Sequence, residues 1–294
     1  MRSRTVLLIT AFFCMSMLSQ SQIRIAFNPE KGTTYTYRFI TDEKTNQSAG
    51  GQETTTGYRL EFVIDMSIKN RNSDEIYADY IFKEIDMSFS SPMMSFKIDS
   101  KNKVGNSSDM NKFFDCLIGK SLQIVVSSDG SVKTITGFQP IMEDIQKVIG
   151  SANDTDKQIT GMFIQMSFHE FAIKTGFEQS FKMYPDKEIK VGDSWSIDNS
   201  ISVSTITNNI INTYTLKSIS EDIALIDLAV ASLMKNERLN RELKEEQKGE
   251  IKLNTRTGLP IQSTLVGNSS TILNVQGTDM KSEKTKKITV SLLQ

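Results

Sequence analysis

Residues 58–69 and 75–89 both alternate polar and apolar side chains, and only Asn70-Arg71-Asn72-Ser73-Asp74 separates them. Alternation with a period of two marks a strand with one buried face, and a short polar turn between two such runs makes a hairpin. The arrangement recurs at 201–219 and 222–234, around Ser220-Glu221. Two shorter hairpins follow the same logic. Residues 121–127 turn at Ser128-Asp129-Gly130 into 131–136, and 250–254 turn at Thr255-Arg256-Thr257-Gly258 into 259–266. A chain written as successive hairpins is committed to a mainly antiparallel sheet.

The hairpins fall into two sets. One set opens with Lys31-Gly32-Thr33-Thr34-Tyr35-Thr36-Tyr37, the other with Lys190-Val191-Gly192-Asp193-Ser194-Trp195. The order of elements agrees between the sets better than the residues do. We read residues 22–294 as a single β-rich domain, with two similar halves, 22–138 and 185–294, around a helical segment, 139–184. The expected fold is α+β: a mainly antiparallel, strongly curved sheet, an open half-barrel of two pseudo-repeats, whose concave face packs on the central helical insertion. The simpler reading of the two sets is that antiparallel proteins all look like successive hairpins.

Helical spacing appears only between the halves. Ile141, Ile145 and Val148 recur at that spacing, as do Ile159, Met162, Phe163 and Met166. Ser167-Phe168-His169-Glu170 has the form of a capping box opening a further helix, along which Phe171, Phe177, Phe181 and Tyr184 follow. Pro185 disfavours helix at Tyr184 and should end it. A shorter helix is expected over 109–118. Beyond Pro185, Gly192 supplies a tight turn, and Trp195 and Ile197 alternate with Ser194, Ser196 and Asp198 as a strand. The polar stretches carry no such period. Residues 41–57 read as a mobile loop, 235–249 as a solvated hairpin tip or short exposed helix, and 281–287 as another solvated charge run. Residues 288–292 read as a terminal strand.

Residues 1–21 have the build of a secretory signal peptide. Arg2 and Arg4 precede an apolar run at 6–18, too short for a membrane span, and Ser19-Gln20-Ser21 offers small residues for cleavage after Ser21. Phe13, just before Cys14, argues against a lipid-attachment cysteine. No later apolar run is long enough to span a bilayer as a helix. Loss of Arg2 and Arg4 moves the formal charge from −1 to about −3, −1 less 2. That balance implies neither a nucleic-acid partner nor a trap for charged substrates. The mature chain keeps one cysteine of two, Cys116, and so has no intrachain disulfide.

Catalytic chemistry finds few residue types to work with. The chain has one histidine, His169, which restricts metal sites built on several His or Cys ligands and offers no motif-supported triad. No Asp-x-Asp-x-Asp calcium loop appears, and Gly119-Lys120-Ser121 lacks the upstream glycine of a phosphate-binding loop. We expect a protein that is not an enzyme and has no cofactor, catalytic residue or metal. Met162, Phe163, Met166, Phe171, Phe177 and Trp195 are the candidate ligand-binding residues. Methionine adapts to irregular apolar ligands and an indole can stack on one. The plainer reading makes the same residues a helix face packed on the sheet and a core anchor.

Pro185-x-Lys187-x-x-Lys190-Val191-Gly192-Asp193-Ser194-Trp195 is the most distinctive string, supported by Gly119-Lys120-Ser121, Asp129-Gly130 and Thr257-Gly258-Leu259-Pro260. On these residues the chain resembles a family, known only as a domain of unknown function, of secreted proteins and lipoproteins from Bacteroidota-type Gram-negative bacteria. The resemblance implies an exported protein, periplasmic or associated with the outer membrane, and supplies no catalytic residues. The half-barrel is similar in architecture to periplasmic lipoprotein and lipid carriers. The expected partner is an apolar small molecule or lipid; the alternative is a structural or protein-interaction module that docks an envelope protein.

Overall fold

A computed structural model describes residues 22–101, 109–151, 157, 170–203, 206–236, 241–275 and 278–293. The strands are β1 (Thr34–Ala49), β2 (Gln52–Arg71), β3 (Glu75–Ser90), β4 (Ser95–Asp99), β5 (Ser121–Ser127) and β6 (Val132–Thr136), then β7 (Ser194–Asp198), β8 (Ile201–Val203), β9 (Ile206–Ser220), β10 (Ile223–Asn236), β11 (Arg241–Asn254), β12 (Pro260–Val275) and β13 (Thr278–Leu292). The helices are α1 (Asp109–Asp115), α2 (Phe138–Ser151) and α3 (Glu170–Phe181).

All 13 strands form one open, antiparallel sheet in the order β6-β5-β3-β2-β1-β13-β12-β11-β10-β9-β7, with β4 against β3 and β8 against β9. Each half of the chain is a meander. The two meanders join where the last strand, β13, lies beside the first, β1, with Tyr37 opposite Leu292 and Ala49 opposite Met280.

One end of the sheet is dry. Residues 22–30 form a strap across it. The Ile23 N–H donates to the Ile189 carbonyl (2.8 Å), Phe27 N–H to Ser128 (3.0 Å) and Asn28 N–H to Thr257 (2.8 Å). Ile25 and Phe27 are buried beneath it. Four residues of extended chain reach at most about 14 Å. The strap therefore holds the β5–β6 turn close to the segment that leads into β7, and so curls the sheet at this end. Helix α3 sits here, where Glu178 accepts a hydrogen bond from Val132 N–H of β6 (2.9 Å). Helix α2 has Pro140 in its first turn, where the missing N–H has no partner to lose, and buries Ile141 and Ile145.

Two polar stretches differ from the sequence reading. Residues 41–57 are not a loop: β1 and β2 run through them, paired from Asp42–Arg59 to Ala49–Gln52, and turn at Gly50-Gly51. Residues 281–287 are part of strand β13. Residues 235–249 belong to β10 and β11, paired out to Asn236–Arg241, which agrees with the hairpin-tip reading and not with the exposed helix. In these stretches the strands are partly exposed on both faces, so no apolar period is written into them. Residues 201–219 form two strands rather than one, because β8 folds back on the start of β9.

Candidate functional site

Cross-strand register fixes which side chains share the concave face. Along β1 this face reads Tyr35, Tyr37, Phe39, Thr41, Glu43 and Thr45. Opposite these on β2 lie Met66, Ile64, Phe62, Leu60, Tyr58 and Thr56, and on β13, from Tyr37 onward, Leu292, Val290, Ile288, Lys286 and Lys284. The face therefore passes from a sealed apolar floor to a charged rim within one strand length. Tyr37 is fully buried, and its hydroxyl donates to the Pro260 carbonyl (3.0 Å). Tyr184 donates likewise to Gly258 (2.7 Å), which ties the β11–β12 turn to the floor.

Between floor and rim lies a belt of apolar side chains that are only half-buried although they touch the core. It includes Tyr58, Leu60, Phe62, Phe82, Phe96, Leu228 and Val290. Phe39 and Phe62 stack at 4.9 Å, and Phe89 and Phe96 at 5.6 Å. An open groove of about 570 Å³ lies at this level on the opposite face, bounded by Asp42, Arg59, Thr285 and Lys287, with Tyr58 and Phe89 at its edge. Burial, and secondarily the charge of Glu43, pushes the Tyr58 hydroxyl up to about 12, so it is a donor at neutral pH. At the rim, Lys284 lies 3.1 Å from Glu43 and 4.0 Å from Glu245. Gly267 passes beneath Gln247, where a Cβ would press on that side chain.

The sequence candidates separate as follows. Phe177 is buried against Tyr80 (4.3 Å) and Phe181 (5.0 Å). Trp195 is half-buried, stacks on Tyr214 at 5.4 Å and donates its indole N–H to the Met183 carbonyl (2.8 Å). These two residues join the same cluster at the dry end. Phe171 lies near the start of α3. Met162, Phe163, Met166 and His169 lie outside the described residues. The belt from Tyr58 to Phe96 was not singled out from sequence, although the alternation that places it was legible. Glu43 and Lys284 sat in stretches read as loop and charge run.

The convex face carries chemistry of another kind. Glu61, Asp86 and Asp99 lie in register across β2, β3 and β4. Arg59 donates to Glu61 (2.9 Å), and Arg38 lies 3.2 Å from it. Partial burial, then the charge of Asp99, raises the Asp86 carboxyl above its ordinary 3.8. Among the described residues no group of three or more His, Cys, Asp or Glu side chains could hold a metal ion.

A raised folded pKa means that ionised Asp86 weakens the fold at neutral pH. Asp86→Asn keeps an acceptor for Ser100 N–H (3.2 Å in the wild type) and removes the charge. It should stabilise at pH 7 by under about 1 kcal/mol, given solvent screening. The gain should fade as pH falls through the raised pKa toward the ordinary value. Thermal melts at pH 7 and pH 4 check this; a gain that grows on acidification contradicts it.

Residues 74–260 match the sequence profile described as a family of unknown function, DUF6263. This is more than half of the chain. The chain belongs to that family. No curated protein matches the DUF6263 chain. Among solved structures, it is similar to one described as lipid-protein interactions in lipovitellin. The TM-score is 0.52 at 10% identity, over 90% of this chain and 25% of that one. The DUF6263 chain thus spans about a quarter of the lipovitellin chain, and the likeness is one of fold alone. DynF from the dynemicin biosynthesis pathway of Micromonospora chersina gives a TM-score of 0.25 at 6% identity, over 93% of this chain and 86% of that one, too low to show a shared fold. No helix among the described residues is long and apolar enough to cross a membrane.

Proposed function

We propose that this protein binds or carries an apolar, lipid-like ligand on the concave face of its sheet, without catalysing a reaction. The belt of half-buried Tyr58, Leu60, Phe62, Phe82, Phe96, Leu228 and Val290 carries the reading. Apolar side chains that touch a core yet remain reachable lose free energy when an apolar surface covers them, at about 25 cal/mol per Å² removed from water. The belt lies between a dry floor and a charged rim, an order that suits an apolar chain laid along the belt. The lipovitellin structure, described for its lipid-protein interactions, supports the same use of a similar sheet. The signal-like residues 1–21 support export, and we place the protein in the periplasm or at the outer membrane of a Gram-negative envelope.

Native mass spectrometry of the protein purified from its own host, followed by solvent extraction, tests this. The expected result is an added mass that extracts as lipid. The bare polypeptide mass alone would overturn the carrier reading. It would favour an envelope docking module that uses convex-face residues such as Ile272 and Val266, which are 67% and 42% exposed.

A further inference from the structure

Two buried amide groups on the concave face leave hydrogen-bonding atoms unused. Asn212, on β9, is 5% exposed and is the one polar residue among the buried side chains of the described residues. Its Nδ2 donates to the Tyr214 hydroxyl (3.2 Å), and its Oδ1 has no partner. Turning the amide over would exchange which atom is left over, not the fact that one is. Asn199 follows β7 two residues after Ile197, which lies opposite Asn212, and its backbone N–H continues the ladder to the Ile210 carbonyl (2.9 Å). Strand alternation thus places Asn199 on the same face. Its Nδ2 is buried and also lacks a partner. An orphan acceptor and an orphan donor therefore share one stretch of wall, beside apolar Ile197, Ile210 and Val230 and next to the Trp195–Tyr214 stack.

Buried polar groups are almost always satisfied, because each unsatisfied one loses its hydration without return. An orphan pair of opposite sense is complementary to a group that both donates and accepts. Asn199 and Asn212 carry no charge, so an ion bound there would lose its hydration to dipoles alone. We infer that Asn199 and Asn212 bind the polar end of the ligand, and that this end is a neutral group with both a donor and an acceptor, such as a carboxamide or a hydroxyl. The inference rests on the carrier reading and adds the chemical class of the headgroup.

The test uses three ten-carbon probes: decanamide, decane, and decanoate at pH 8. Trp195, the only tryptophan, reports binding from its place on Tyr214. In the wild type decanamide is expected to bind more tightly than decanoate. In Asn212→Leu decanamide should weaken about tenfold, the scale of one buried polar group left unpaired, while decane changes less than twofold. Asn199→Leu, at a less buried position, gives the same readout if the first variant folds poorly. Decanamide binding unchanged in both variants would overturn the inference, leave the carrier reading standing, and mark the pair as a site for ordered water only. Failure of all three probes to bind the wild type would overturn both.

Discussion

Phe181→Ala should remove about 3–5 kcal/mol of stability, the usual loss for a buried phenylalanine truncated to alanine. Phe181 is 1% exposed at the end of α3. Its ring contacts Phe27 of the strap at 5.4 Å, Tyr37 of β1 at 6.3 Å and Phe177 at 5.0 Å. One side chain thus joins α3 to the strap and to β1, both far earlier in the chain. A domain has only about 5–15 kcal/mol in all, so the variant should lose a large share of its stability. Urea unfolding measures this, with the expected fall in midpoint at an unchanged slope. A loss under about 1 kcal/mol would mean that α3 does not seal the floor.

The second large effect is expected at Gly258. It has a φ of 69°, and a Cβ there would fall inside the van der Waals shell of the Ala26 carbonyl in the strap. Gly32 has a similar φ of 82° but open space around it. Gly32→Ala should therefore lose only the cost of left-handed backbone, about 1–2 kcal/mol. Gly258→Ala should lose that and also lift the strap, exposing Ile25 and Phe27, for a total above about 3 kcal/mol. Equal losses in the two variants would show that the strap is loosely held.

Where one face of the sheet is sealed, the sequence was readable. Residues 58–69, 75–89 and 121–136 alternate because every second side chain enters the floor, and their turns stand where the strands end. Toward the rim the reading failed for a physical reason. Glu43, Lys284 and Gln247 face inward, yet water reaches both faces there, so polarity stopped tracking orientation. The backbone pairing of β1 with β13 continues regardless, because it depends on register and not on side-chain polarity. Trp195 shows a different limit. Its strand was legible, but the Met183 carbonyl that takes its N–H, and the Tyr214 ring under it, come from segments whose meeting only the fold sets. Asn199 and Asn212 gave no sequence signal at all, since an unpaired amide can be recognised only once its neighbours are known.

The seam between β1 and β13 lies in the middle of the sheet rather than at its edge. Leu293 N–H donates to Thr36 (2.7 Å), so nearly the whole length of the polypeptide separates partners that must touch. The amino-terminal meander can collapse early, but it keeps a bare inner strand until β13 arrives. Contacts of such long sequence separation form slowly and leave unpaired edges exposed meanwhile. Loss of β13 would therefore split this protein down its centre, and a ribosome that still holds residue 292 also holds the sheet open.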